Sequence, residues 1–487
     1  MVIPDSVPNL IGGREVPADS KRTLAKVDPA TGRRLWDVAR SDASDVRVAV
    51  AAAKAAQAAW ADVTPVRRGE ILRDLALLLR ARQDEVASVV ARETGKSRKD
   101  ALAETQGAIE MGFFVAGEGR RLYGHTTTSA VPNKFAMTVR APVGVAGLIV
   151  SGNTPIANVA WKVFPALLCG NAAVLKSSED TPATAWLFGK LATEAGVPPG
   201  VLNVVHGLGE EAGQPLVDHE DVDLISFTGS CEVGRIIQQR AGARLARVCL
   251  ELGGKNPLVV CDDADLDLAA RWAVLSAFSN AGQRCASGSR ILVFDGVYDR
   301  FREMLVRRTQ ELRIGPGDED DHGPVISEEA LARMLAALDK AKAGGATILT
   351  GGRRLDDPAR AAGFYLAPTL VEGVAPDAEI SRTELFGPIA CLYRVSGFDE
   401  ALALANASPF GLTASIHTRS VHRAMTFVRK VRAGVAVVNG GTFGSEPHLP
   451  FGGYGASGTG WREAGSEALD VYSEWKTVYL NHDPSAV

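Results

Sequence analysis

Two short motifs carry residues able to do covalent chemistry. Gly282-Gln283-Arg284-Cys285 sets a thiol behind a glycine and two polar residues, a less natural setting for a buried structural cysteine than those of Cys169, Cys249, Cys261 and Cys391. Leu250-Glu251-Leu252-Gly253-Gly254 ends an apolar run on a carboxylate followed by two flexible residues. Asn153 lies just past another apolar run, Val143–Val150. Together they offer a nucleophile, a base and an amide donor, the groups that make, stabilise and break an acyl intermediate. Each residue also has a plainer reading: a core thiol, a strand-end surface carboxylate, and a turn residue before Thr154-Pro155.

Glycine marks where backbone must approach something closely. The chain has 50 glycines among 487 residues, about a tenth against a usual ~7%. Two stretches spell a dinucleotide fingerprint, Gly207-Leu-Gly209-Glu-Glu-Ala212 and Gly453-Tyr-Gly455-Ala-Ser-Gly458. The next strand after the first ends in Phe227-Thr228-Gly229 instead of an acid, and the second follows no apolar strand, so both read as turns. Gly95-Lys96-Ser97 looks like the end of a phosphate loop, but Val90 stands where that loop needs glycine. Phe227-Thr-Gly229-Ser230-Cys231-Glu232-Val233-Gly234 puts a glycine turn between an apolar strand and a helix, which would aim helix N-terminal amides at an anion. Taken alone it is equally an ordinary strand-to-helix turn.

The elements that must hold these residues follow from the pattern. Asp42 to Val63 reads as a helix, and Thr64-Pro65 caps a second one running from Val66 to Thr94 with Gly95 as its stop. From about residue 143, apolar runs at Val143–Val150, Ala172–Lys176, Leu202–His206, Leu224–Thr228 and Val248–Leu252 alternate with helix-length segments, the spacing of an open parallel sheet. Ligands of such sheets sit beyond the strands' carboxyl ends, where Asn153, Lys176 to Glu179, Gly229-Ser230 and Glu251 all fall. A second α/β set follows, with runs at Pro257–Cys261, Arg290–Phe294, Pro388–Tyr393 and Gly434–Asn439.

Composition narrows the class. Net charge is −4, too little basic excess for nucleic acid. Six cysteines without a CxxC pair argue against a metal site or a disulfide framework and for a reducing, cytoplasmic compartment. No apolar run approaches the ~20 residues of a membrane span, and Met1 to Lys21 lacks a signal-peptide core.

Over nearly its whole length the sequence resembles the aldehyde dehydrogenase superfamily. The carrying segments are Asn153-Thr154-Pro155, Leu175-Lys176-Ser177-Ser178-Glu179, Phe227 to Gly234, Leu250 to Gly254, Gly282 to Cys285, Glu384-Leu385-Phe386-Gly387-Pro388 and Pro450-Phe451-Gly452-Gly453. The resemblance implies two open parallel-sheet α/β domains and a small oligomerisation β-element. The expected divisions are 1–122 with 142–253 for NAD, 254–453 for catalysis, and 123–141 with 466–487 for assembly into a homodimer or homotetramer. Asp470 to Leu480 alternates enough to be a strand offered to a partner.

The resemblance also assigns roles. Cys285 is the nucleophile that forms a thiohemiacetal and then a thioester, Asn153 with the Cys285 N–H the oxyanion hole, and Glu251 the base that activates water. Lys176 and Glu179 would hold the adenine ribose, Gly229, Ser230 and Gly234 the pyrophosphate, and Leu252, Glu384 and Phe386 the nicotinamide end. Glu179 would repel a 2′-phosphate, favouring NAD over NADP. Thr154, Ala157, Trp161, Arg284, Ser445 and Phe451 would line the aldehyde tunnel, with Glu446 and His448 on the loop before Pro450. Arg284 or His448 is expected to meet a polar or carboxylate tail, against the alternative that Arg284 points into a structural salt bridge. Gly460-Trp461-Arg462-Glu463 runs one residue longer than the common form and receives no role. Competing readings are a coenzyme A-acylating semialdehyde dehydrogenase, which characteristically lacks the Glu251 base, and a non-catalytic protein of the same fold.

Overall fold

The computed structural model describes residues 3–486, and in it the apolar runs become two seven-stranded sheets. The first has the order Arg247–Glu251, Leu224–Thr228, Val145–Ile149, Ala172–Lys176, Leu202–Val205, Asn9–Ile11, Arg14–Val16. Its first five strands are parallel and buried on both faces, as sheets covered by crossover helices must be. Strand order reverses between Val145–Ile149 and Leu224–Thr228, so the crevice of this sheet opens beside Asn153 and Gly229.

The second sheet has the order Thr347–Thr350, Thr369–Glu372, Ile389–Val395, Gly288–Phe294, Asn256–Val260, Thr413–His417, Val435–Val438, with only the Thr347–Thr350 edge antiparallel. Four residues, Leu252 to Lys255, join the last strand of the first sheet to the Asn256–Val260 strand. The carboxyl edge of one sheet therefore faces the amino edge of the other, and the site lies between them.

The first helix runs over Ala43–Asp62 with Asp42 as its cap. The expected long helix to Thr94 is two, Pro65–Ala81 and Gln83–Thr94, because the backbone leaves helical geometry at Arg82 (φ −114°, ψ 25°), a break no proline or glycine announces. Gly95 ends it in the left-handed region (φ 73°), as its position suggests. Pro155–Leu168 packs on Arg98–Glu118 and carries a nearly uniform buried apolar surface interrupted by Lys162. Of the fingerprint spellings, 209–213 forms a π-helical turn and Tyr454–Gly455 pairs with Phe410–Gly411.

Ser473–Asn481 pairs antiparallel with Lys134–Pro142 through nine residue pairs, and Thr126–Thr127 adds a short third strand. Phe135, Trp475, Tyr479 and Leu480 on this ribbon are exposed. Residues 457–463, of which the sequence assigns no role to Gly460 to Glu463, return to the first sheet: the Leu252 N–H donates to the Ser457 carbonyl (3.0 Å), and Glu463 reaches Lys162.

Candidate active site

Cys285 rides on a turn that only tight backbone geometry can make. After the helix Leu266–Phe278, Asn280, Ala281 and Gly282 all adopt left-handed φ (54°, 53° and 66°), and a Cβ at Gly282 would overlap the Gly387 carbonyl. Two such non-glycine residues in succession cost energy that surrounding structure must offset, a pattern that clusters at functional sites. The turn is pinned by Gln283 Oε1 accepting from the Ile326 N–H (2.9 Å), by Ser287 Oγ donating to the Gly282 carbonyl (3.0 Å), and by Asn256 Nδ2 donating to the Cys285 carbonyl (2.8 Å). Burial pushes the Cys285 thiol up to about 12, reinforced by the Glu384 and Glu251 carboxylates and opposed by the Ala286 N–H and Arg284. The resting group is thus a thiol, and attack requires removal of its proton.

Asn153 precedes Pro155–Leu168, whose first helical residue is Pro155. Its Nδ2 donates to the Gln283 carbonyl (3.0 Å), while its Oδ1 accepts from Ser151 Oγ (2.8 Å) and Asn158 Nδ2 (3.3 Å). One amide hydrogen is anchored beside the Cys285 turn and the second is left for a ligand.

Glu251 ends its strand inside the protein, and neither carboxylate oxygen has a hydrogen-bond partner among the described residues. Burial and the neighbouring Glu463 charge raise its pKa well above the carboxylate range, against Lys162 and Arg462. Gly452 (φ 152°) leaves room for it, since a Cβ there would stand 2.7 Å from Glu251 Oε1. Behind Glu251, the buried Lys162 and Glu463 are in direct contact, Lys162 Nζ donates to Ser226 Oγ (2.9 Å), and the Tyr472 hydroxyl donates to the same oxygen (3.1 Å). Glu463 is a site neighbour to which the sequence assigns no role, because Gly460 to Glu463 runs one residue longer than the common form.

These three residues line one cavity of about 480 Å³. Thr154, Ala157, Trp161, Arg284, Ser445 and Phe451 all line it too, Trp161 and Phe451 meeting edge to face. Arg284 makes no ion pair among the described residues; its guanidinium lies 5.2 Å from the Phe443 ring and its buried Nε has no partner. The structural salt bridge considered for it is absent among the described residues. His448 and Glu446 stand 3.7 Å apart on an exposed loop and do not line the cavity. Among its carboxylates, Glu104 is engaged by Lys96 (2.5 Å) and Asp100 lies in the first turn of its helix.

The cavity continues into a cleft of about 720 Å³ that shares Asn153, Thr228, Glu251, Leu252 and Cys285 and extends past Gly229, Ser230, Glu384 and Phe386. Ser230 Oγ caps the helix Cys231–Ala243 by accepting from the Val233 N–H (3.3 Å), and a Cβ at Gly229 would overlap the Phe227 ring. Gly234 does not line the cleft; its bare Cα lets that helix close on Leu252, whose Cδ2 would sit 2.7 Å from a Cβ there. Lys176 and Glu179 also stand outside the lining, at the carboxyl end of Ala172–Lys176, with Lys176 Nζ 3.0 Å from a half-exposed Glu179. Burial would raise the Glu179 pKa, but the Lys176 charge holds it below the usual value. Glu384 accepts from the Gly254 N–H (2.9 Å), and burial pushes its carboxyl up to about 7. A helix N-terminus, an ion pair beyond it and a cleft ending at the thiol together suit a dinucleotide. No group of three or more potential metal ligands occurs among the described residues.

The model of the aldehyde dehydrogenase family matches residues 16–478. The alpha-ketoglutaric semialdehyde dehydrogenase of Bacillus subtilis (strain 168) is 38% identical over 475 residues, covering 97% of this chain and 97% of that one. The alpha-ketoglutarate semialdehyde dehydrogenase of Haloferax volcanii is 40% identical over 477 residues, covering 98% and 99%. Among solved structures, betaine aldehyde dehydrogenase from Staphylococcus aureus in complex with NAD+ superimposes with a TM-score of 0.96 at 32% identity, covering 98% of this chain and 95% of that one.

Proposed function

The chain belongs to the aldehyde dehydrogenase family, and from that premise we propose that it oxidises a semialdehyde bearing a carboxylate to the corresponding diacid, with NAD as oxidant and water as the final acyl acceptor. The observation that carries this reading is the convergence of Cys285, Asn153 and Glu251 on one cavity whose wall also holds an Arg284 guanidinium without a carboxylate partner among the described residues. Both relatives at 38–40% identity are named for a semialdehyde of a keto acid, which supplies such a carboxylate.

Cys285 gives its proton to water, and the thiolate adds to the aldehyde carbon to give a thiohemiacetal. Negative charge develops on the former carbonyl oxygen. The free Asn153 amide hydrogen and the Cys285 N–H, which meets no protein acceptor among the described residues, receive it. The nicotinamide, when bound, supplies the hydride acceptor that leaves a thioester on Cys285. Glu251 then accepts a proton from water as its oxygen attacks the thioester carbon, and the carboxylic acid departs as the thiol is restored. Lys176 and Glu179 would hold the adenine ribose, the Gly229-Ser230 turn and the helix N-terminus would hold the pyrophosphate, with Gly234 and Leu252 supporting that helix, and Glu384 and Phe386 would frame the nicotinamide riboside.

The sheet of Asn256–Val260 serves as the catalytic unit and the sheet of Val145–Ile149 as the NAD unit. The apolar ribbon of Lys134–Pro142 and Ser473–Asn481 pairs with a second copy in a homodimer or homotetramer. All six cysteines are unpaired, in keeping with a cytoplasmic setting.

The test is absorbance at 340 nm with NAD and a panel of aldehydes, with and without coenzyme A. NADH from a carboxylate-bearing semialdehyde without coenzyme A is expected. No NADH from any aldehyde would refute the reading, and a requirement for coenzyme A would replace hydrolysis by acyl transfer.

A further inference from the structure

The polypeptide carrying Asn153 is tied down by a buried ion pair from two other helical segments. Lys96 follows the Gly95 stop of Gln83–Thr94, and Glu104 sits in the second turn of Arg98–Glu118. Their side chains are 3% and 6% exposed and touch at 2.5 Å. Lys96 Nζ also donates to the Asn153 main-chain carbonyl (2.8 Å). The other Glu104 oxygen accepts from the Ile156 N–H (3.0 Å) and the Ala157 N–H (3.4 Å). Those amides open the helix Pro155–Leu168, whose own cap residue, Thr154, makes no side-chain cap bond. Glu104 therefore supplies in trans the cap that the local sequence fails to provide.

We propose that Lys96 and Glu104 are positioning residues for the oxyanion amide: one fixes the carbonyl of Asn153, the other fixes the helix that begins two residues later. The proposal rests on Asn153 acting as the oxyanion donor. With both ends held, the Asn153 side chain has little freedom to leave the Gln283 carbonyl or tilt its second hydrogen away from the thiol. Glu104 is spent on three partners and is not available to a cationic substrate tail. Asn280 Nδ2 also donates to the Asn153 carbonyl (3.3 Å), so the turn that carries Cys285 and the turn that carries Asn153 share this anchor. Misplacing a reacting group by about 1 Å can cost about 100-fold in rate, and losing an oxyanion donor outright costs about 100- to 1,000-fold.

A double-mutant cycle read by the single-turnover NADH burst tests this. Lys96→Met is expected to slow the burst about 10- to 100-fold while NAD affinity and the circular dichroism spectrum stay as in the parent. Asn153→Ala alone slows it more, and Lys96→Met added to Asn153→Ala slows it less than about twofold further, because no amide remains to position. Equal fold losses in both backgrounds, or an unchanged burst in Lys96→Met, would overturn the proposal. A parent-like burst in Asn153→Ala would remove the oxyanion reading itself, and the positioning role with it. Glu104→Gln, which keeps an oxygen for the helix amides but loses the ion pair, runs the same cycle if Lys96→Met does not fold. It must then show the same loss confined to the Asn153 background.

Discussion

Replacing Arg284 by glutamine removes a positive charge beside the thiol while keeping length and some polarity. Two charges 4 Å apart attract by about 4 kcal/mol at an effective dielectric of 20, a gross figure from which desolvation must be subtracted. The net value of a hydrogen bond to a charged group is about 1.5–3 kcal/mol, or about 10- to 150-fold in kcat/KM. Arg284 also lowers the Cys285 pKa slightly, behind larger opposing causes, but that loss falls on every aldehyde alike and cancels in a ratio. The expected outcome is that kcat/KM for a carboxylate-bearing semialdehyde falls about 10- to 150-fold relative to an uncharged alkanal of the same length. Arg284→Lys should recover part of it, since an ammonium keeps the charge but not the two-pronged geometry. The assay is NADH formation at 340 nm across acidic, neutral and cationic aldehydes. An unchanged ratio in Arg284→Gln, or a parent enzyme that prefers cationic aldehydes, would refute the assignment.

Three further outcomes follow from the same geometry. Because the Glu251 pKa is raised, its basic form accumulates only above the normal carboxylate range, so the rate of thioester hydrolysis should climb with pH through and beyond that range, and Glu251→Gln should flatten the profile. Gly282→Ala forces a Cβ against the Gly387 carbonyl at φ 66°; at least about 1–3 kcal/mol of stability and most turnover should be lost, visible in calorimetry and rate together. Glu179→Gln removes the ionised partner of Lys176, and the NADP-to-NAD ratio of kcat/KM should rise about ten- to a hundredfold; a constant ratio would separate Glu179 from cofactor choice.

The parallel strands of the first sheet were legible because each carries a short, mainly apolar run, and the residues at or just beyond their ends include Asn153 and Glu251. Thr413–His417 was not, because Thr, Ser and His dilute its apolar signal although every residue in it is buried. The antiparallel edge at Thr347–Thr350 is short and half-exposed and carries little pattern. The Arg82 break has no breaker residue to announce it.

In the site, the residues that touch the cavity were read from motifs, whereas those that hold them were not. Glu104 lies in register with Ala108, Met111 and Val115 along the buried stripe of its helix, and Lys162 interrupts an otherwise apolar one. A charge on an apolar stripe demands a partner, but Lys96 lies in the link just before the Glu104 helix and Glu463 in a distant segment, and helical periodicity pairs neither.

The most direct measurement follows Glu251→Gln with saturating NAD and substrate, recording NADH from the first milliseconds and then the mass of the Cys285 peptide. The account predicts a burst approaching one NADH per active site, a stalled steady state, and an acyl group retained on Cys285 that hydroxylamine removes. Equal loss of burst and steady state, with no adduct on Cys285, would contradict the division of labour between thiol and carboxylate on which the account rests.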